Sequence, residues 1–327
     1  MLRRLLTKVN GWKRAKAVRE IGGAAQFHGY DAEKAIRRLY YPSFVSPERK
    51  YVYLETPKVA CTAFKQMIVD LEGVKFDRKL RPYLREARMD MLIHQRDYIA
   101  LPSIVDLSAD DRKKVLGGSD DWFVFALVRN PFSRIVFVFE SKIRLSDPYF
   151  NNPLRSPEIS PHSRDRIELF QSFVRKISTN EQRIAENPHI SSQRDLLMPL
   201  LINYSSIFKL ESIADALAAF NAHLRKSGAK REVELPRNNI MLKTNWRAYY
   251  DDRSAGIIAH VFEKDFEAFG YDPHDWRPLA GETLPPETDA ERFWRGEVVA
   301  RNEMIEHLYQ LMDEQMGKPK PWRYARH

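Results

Sequence analysis

The sequence predicts an α/β fold: a P-loop-like parallel sheet flanked by helices, with helical N- and C-terminal extensions. Two occurrences of one pattern predict it. Tyr51-Val52-Tyr53-Leu54 and the run from Asp121 to Val128 are short apolar stretches of the kind that form fully buried strands. Each meets a tight turn and then a helix-like segment, and strand–loop–helix repeated in this way marks a parallel sheet. Composition agrees, because 43% hydrophobic and 12% aromatic residues in 327 can fill a sizeable core.

In chain order, residues 1–45 read as an N-terminal extension of helical pieces and loops. Leu2, Leu5, Leu6 and Val9 share a helical face, with Arg3, Arg4, Lys8, Lys13 and Arg14 around them. Such a helix packs on the body of the domain or makes peripheral contact with an anionic membrane surface. The main domain is expected over 46–280. After the first strand, a helix is expected from Thr62 to Leu71. After the second, Asn130-Pro131 starts another, since proline suits the first helical turn. Pro148, Pro153, Pro157 and Pro161 make 147–165 a long loop. The spacing of Ile167, Phe170, Phe173, Val174 and Ile177 predicts a helix over 166–177. Ser212 with Asp215 reads as the cap of a helix over 212–225, and Gly228 follows its end. A single amphipathic helix is expected over 254–269, stopped by Gly270. The region 281–327 reads as a long helix from Glu287 to Met316 with a basic tail.

The net charge of +9, from 53 basic and 44 acidic side chains, points to an anionic partner. No basic run is interleaved with aromatics, so nucleic acid is not the expected one. Cys61 is the one cysteine, which excludes an intramolecular disulfide and a Cys/His zinc cluster. Apolar runs are too short to span a bilayer, and the N-terminus has no signal-like apolar region. The reading from these observations is a cytoplasmic protein.

Two segments carry chemistry. In Glu55-Thr-Pro-Lys58-Val59-Ala60-Cys61-Thr62-Ala63-Phe64 a strand feeds a tight loop and a helix begins. First-turn amides have no internal partner, and the helix dipole adds positive charge there, so the loop is a ready anion site. Lys58 adds a full charge, Thr62 a hydroxyl, and the small Ala60 and Ala63 allow close backbone approach. The plainer reading is a strand-to-helix turn with a surface lysine. The loop is no Walker A, and no acidic partner for magnesium is evident, so no metal is expected. The second segment places Arg129 at the end of its strand, just before a helix start. Ligands of open α/β sheets bind beyond the carboxyl ends of strands, and Arg grips phosphate bidentately. The alternative for Arg129 is a structural ion pair. For Arg134, inside the helix, a structural role is preferred.

Together the segments resemble the donor site of sulfotransferases that use 3′-phosphoadenosine-5′-phosphosulfate (PAPS), and among them the Golgi-type carbohydrate sulfotransferases. Pro57-Lys58 with Thr62 is similar to that family's 5′-phosphosulfate loop, and Arg129 with Pro131 and Arg134 to its 3′-phosphate site. His189 with Gln193, Phe208-Lys209-Leu210-Glu211, and Tyr249-Tyr250 through Phe266 to Tyr271 match later motifs in the same order. The likeness covers about Tyr51 to Tyr271. It implies PAPS as donor, a carbohydrate or glycoconjugate as acceptor, and sulfuryl transfer by in-line displacement.

The chain departs from the pattern at Phe137, where the family places a serine; Ser133 or Lys142 would have to substitute. The family's signal anchor is not evident either, which argues for a bacterial-type cytoplasmic enzyme. A base must take the acceptor's proton, and His is the usual choice near neutral pH. His94, between the two segments, is the first candidate because the family keeps an acceptor-side histidine there; His189 is the second and Glu55 the third. Arg155, His162, Arg164 and Arg166 would hold an acidic sugar or be a solvated charged loop. The competing functions are a P-loop kinase-like phosphotransferase and a non-catalytic adenine-nucleotide-binding or scaffold protein.

Overall fold

A computed structural model describes residues 11–74, 93–94, 96, 99–148, 165–179, 186–229, 231–236 and 245–315. Its elements in chain order are α1 (Gly11–Phe27), α2 (Ala32–Tyr40), β1 (Ser43–Ser46), β2 (Tyr51–Leu54), α3 (Cys61–Leu71), α4 (Ala109–Gly117), β3 (Phe123–Val128) and α5 (Pro131–Val138). There follow α6 (Arg166–Ser178), α7 (Gln193–Leu197), β4 (Ser206–Lys209), α8 (Ile213–Lys226), α9 (Asp252–Val261), α10 (Glu263–Phe269) and α11 (Asp289–Gln315). The chain divides into two compact units: 1–129 with 193–240, and 130–192 with 241–327.

The first unit holds the sheet, in the order β1-β2-β3-β4. β2, β3 and β4 run parallel, and β1 pairs antiparallel with β2. The register sets Leu54 against Ala126 and Val128 against Lys209, so β2, β3 and β4 end at one edge. Side chains alternate across a strand. Tyr51, Tyr53, Phe125 and Leu127 therefore share a face, and they pack in one cluster with Phe64, Met67 and Ile68 of α3 and Phe220 and Leu224 of α8. Tyr53 stacks on Phe64 with ring centroids 5.4 Å apart. All of β1 and β2 is buried: the apolar β2 lies between two strands, and the serines of β1 are buried beside Phe44 and Val45.

The second unit is helical. Phe132, Ile135, Val136 and Phe139 meet Phe170, Phe173, Tyr249, Tyr250 and Ile258 in a separate core. Tyr249 donates to Glu140 at 2.6 Å and Tyr250 to the Phe132 carbonyl at 2.8 Å, so both phenols are satisfied there.

The expected α/β class is the observed one. Some elements differ. β1 lies across the end of the expected helical extension; four residues, two of them serine, carry no readable strand pattern, and pairing with β2 makes the strand. The helix expected over 254–269 is two helices broken at Phe262, whose backbone leaves the helical range at φ −109°, ψ 22°. Gly270 does end the second, in the left-handed conformation. Ser212 stands before α8 with no side-chain cap bond. The basic N-terminal face through Val9, most of the proline-rich loop and the C-terminal tail lie outside the described residues.

Candidate active site

The loop between β2 and α3 is held in a conformation that side chains with a Cβ resist. Lys58 has φ +68° and Ala60 φ +49°. Ala60 is left-handed at the N-cap of α3, and no side chain caps that helix. Left-handed residues cluster at ligand clamps, where the surrounding fold over-determines them. Left-handed residues on either side of Val59, with a helix start that carries no side-chain cap bond, form a concavity suited to an anion. Val59, Cys61 and Ala63 are buried beneath it, and burial pushes the Cys61 thiol above its usual pKa, which makes it a packing residue.

The loop is anchored from three sides within the first unit. Arg38 of α2 donates to the Glu55 carbonyl at 2.7 Å and to the Leu196 carbonyl of α7 at 3.0 Å; burial pulls its guanidinium down to about 10. Arg129 follows β3 and donates to the Lys58 carbonyl at 3.3 Å, which brings the two segments read from the sequence to one place. Gln193, fully buried in α7, holds the peptide groups of Arg129 in both directions: its Oε1 accepts from the Arg129 amide at 2.9 Å and its amide donates to the Arg129 carbonyl at 2.8 Å. Lys209 pairs in register with Val128, so a further basic residue ends its strand at the same edge.

A polar cluster lies on α3 directly after the loop. Lys65 is 2% exposed, and its ammonium donates to Glu55 Oε2 at 2.7 Å. The same ammonium is 2.7 Å from His94 Nδ1, and His94 Nε2 is 3.2 Å from Thr62 Oγ1. Burial alone would raise the Glu55 carboxyl, but Lys65, His94 and Arg38 outweigh it and hold it below its usual value. Lys58, Thr62, His94 and Arg129 therefore belong to one neighbourhood. Lys65 and Arg38 were not singled out from the sequence. Lys65 carried a signal, since it shares the inward stripe of α3 with Cys61, Phe64 and Ile68, and a lysine there demands a partner.

Ser133 and His189 belong to the second unit. Ser133 is buried in the first turn of α5, where its amide lies 3.4 Å from the capping Asn130 Oδ1. Phe137 is half-buried one turn on. Lys142 pairs with Asp147 at 2.7 Å. His189 Nδ1 is 3.3 Å from Asn187 Oδ1. Arg134, 1% exposed, donates to the carbonyls of Ser191 and Pro188, which is the structural role expected of it. Asp265 is buried and accepts from Ser192 at 2.6 Å, so this motif position braces the second unit. Arg166 begins α6; Arg155, His162 and Arg164 lie outside the described residues.

A profile described as the sulfotransferase family matches residues 41–272. Among curated proteins, carbohydrate sulfotransferase 10 of Xenopus laevis is 25% identical over 249 residues, covering 70% of this chain and 66% of its own length. The Gallus gallus protein of the same name is 26% identical with the same coverage. Human carbohydrate sulfotransferase 8 is 23% identical over 67% of this chain and 49% of its own. The chain thus spans just under two thirds of the first two relatives. No solved structure matches significantly. These relatives overturn the cytoplasmic reading: they are carbohydrate sulfotransferases, the Golgi type to which the motifs are similar, and those are not cytoplasmic. Among the described residues no helix is long and apolar enough to cross a membrane, which does not decide location. With a family match running from the start of the sheet region to the last motif, over most of its length, this chain belongs to the sulfotransferase family.

Proposed function

We propose that this chain moves a sulfuryl group from PAPS to a hydroxyl of a carbohydrate or glycoconjugate. The observation that carries the reading is the meeting of Arg129 with the Lys58 carbonyl, 3.3 Å apart, at the end of two parallel strands. The residues fit a nucleotide with two anionic groups: a left-handed, uncapped helix start beside Lys58 and Thr62, and an arginine whose backbone is clamped by Gln193. In this reading residues 58–63 hold the 5′-phosphosulfate, and Arg129 holds the 3′-phosphate, with Ser133 as the hydroxyl that replaces the one missing at Phe137. Lys58 neutralises charge on the leaving phosphate as the sulfur–oxygen bond breaks. Positioning and fixed charge supply most of the catalysis, as in phosphoryl transfer. The acceptor's proton passes to a base, and His94 and Glu55 are the groups of that chemistry at the loop; His189 remains the candidate from the second unit.

The test is incubation with sulfur-labelled PAPS and a panel of glycans and glycolipids. Label in a sugar is the expected result. Tight 3′,5′-adenosine diphosphate binding with no labelled product from any acceptor would make the chain a nucleotide-binding protein of this fold. Equal binding of 3′,5′-adenosine diphosphate and adenosine 5′-monophosphate would remove the 3′-phosphate site. Turnover is expected to survive chelation; loss restored by magnesium would point to kinase-like phosphotransfer.

A further inference from the structure

Hydrogen bonds around the candidate donor loop close into a ring within the first unit. Arg129, after β3, donates from Nη1 to the Lys58 carbonyl at 3.3 Å. Its own peptide groups are held by Gln193, the first residue of α7. Near the other end of α7 the Leu196 carbonyl accepts from Arg38 Nε at 3.0 Å. Arg38 Nη2 donates in turn to the Glu55 carbonyl at 2.7 Å, and Glu55 leads through Thr56 and Pro57 back to Lys58. The last carbonyls of a helix have no partner inside it, so the end of α7 calls for such donors; Tyr204 supplies another, to Leu197 at 2.7 Å. Nε and Nη2 stand on one edge of the rigid guanidinium plane, so the two carbonyls that they meet are held at a fixed separation. The family match begins at residue 41, just after α2 ends, so Arg38 is supplied from outside it.

We propose that Arg38 is a positioning residue for the donor: it fixes the spacing between the loop at Lys58 and Arg129, so that one nucleotide can set a phosphate group on each at once. This rests on the PAPS reading of the site, and Arg38 acts in it through backbone carbonyls. The direct tie from Arg129 to the Lys58 carbonyl is a single bond of 3.3 Å, long for an N–H donor. The route through Gln193, α7 and Arg38 uses four bonds of 2.7–3.0 Å. A ligand with two anionic groups outbinds a ligand with one only when both sites stand at the span of the ligand, and the advantage is lost when the geometry fails. Removing Arg38 leaves each anion site its own residues and takes away the spacing between them.

Calorimetric titration of the full chain tests this, read as the ratio of its affinities for 3′,5′-adenosine diphosphate and adenosine 5′-monophosphate. In Arg38→Met the ratio should fall by about three- to tenfold, the scale of a hydrogen bond's net contribution. A merely structural role would lower the competent fraction of the protein, which divides both affinities by one factor and leaves their ratio alone. An unchanged ratio in folded Arg38→Met therefore overturns the proposal. Arg112→Met is the control. It frees α4 from Glu20 of α1, away from the ring, and should keep the wild-type ratio; an equal fall there would overturn the proposal too, because any loosening of the unit would then suffice. If Arg38→Met does not fold, Arg38→Lys decides. Lysine keeps the charge and a long stem without the guanidinium edge, so a reduced ratio is expected and the wild-type ratio overturns the proposal. The wild type itself separates the two readings. If it binds the two nucleotides equally there is no 3′-phosphate site, and the PAPS reading falls with the proposal. A wild-type preference that survives Arg38→Met sinks the proposal alone.

Discussion

Replacing Lys58 with alanine should lower turnover with PAPS by roughly a hundred- to thousandfold, the cost of losing one donor from a preorganised anion site. Steady-state kinetics on folded protein would check it; near-normal turnover removes Lys58 from the donor site. A second expectation concerns Glu55 and Lys65. Their pair is buried, and removing one partner strands the other's charge, which costs about 3–5 kcal/mol. Lys65→Met should therefore destabilise by that order, and the double variant with Glu55→Gln should recover much of it, as read from urea unfolding. The pair also sets a pH dependence. The folded Glu55 carboxyl ionises below its ordinary value, so the unfolded chain takes up the proton first. The stability it contributes is complete above the ordinary carboxylate range and drains as pH falls through the lowered folded value. Wild type should lose stability over that acid window more steeply than Glu55→Gln.

Elements depend on a few local devices. Asn130 caps α5: its Oδ1 accepts from the Phe132 amide at 2.9 Å and lies 3.4 Å from that of Ser133, with Pro131 at the first position. Asn130→Ala should cost about 0.5–2 kcal/mol, measured by thermal or denaturant unfolding. Gln193 stiffens the end of β3. Gln193→Ala would take these partners from the part-buried amide and carbonyl of Arg129, at up to about 1–3 kcal/mol each, and should weaken nucleotide binding with no charge removed. A calorimetric titration with 3′,5′-adenosine diphosphate would show it; unchanged affinity would mean that Arg129 is held without Gln193. Between α4 and β3, Gly118 has φ +88°, and a Cβ there would stand 2.3 Å from Asn203 Nδ2. Asn203 is tied to the same turn through the Leu116 and Gly117 carbonyls, so it cannot easily withdraw.

At the scale of the whole chain, the +9 charge bears on encounter more than on fold. For PAPS and acidic acceptors, kcat/KM should fall as ionic strength rises from about 0.01 M to about 0.15 M, because the screening length shrinks from about 30 Å to about 8 Å. A neutral sugar acceptor should show the decline only through PAPS. Indifference of both would mean that the net charge serves something other than substrate capture.

The sequence by itself determined the sheet's central strands, the two helix starts that follow them and the identity of the residues placed on the loop. These signals are local: an apolar run of strand length, a proline at a first helical turn, a lysine and threonine at a strand-to-helix junction. It could also name His94, since resemblance points to a histidine in that interval. Tertiary structure alone decided the rest. β1 exists because β2 offers it a partner, and no four-residue pattern announces that. The break at Phe262 interrupts a periodicity that runs through it unbroken in sequence. Arg38, Gln193 and Lys65 act on residues 17, 64 and 29 positions away, respectively. A hydrogen bond's energy depends on distance and direction across space, and the chain's order carries neither. Lys65 is the sharpest case: the sequence supplies a lysine on an inward stripe, but its partners Glu55 and His94 are ones that only folding brings to it.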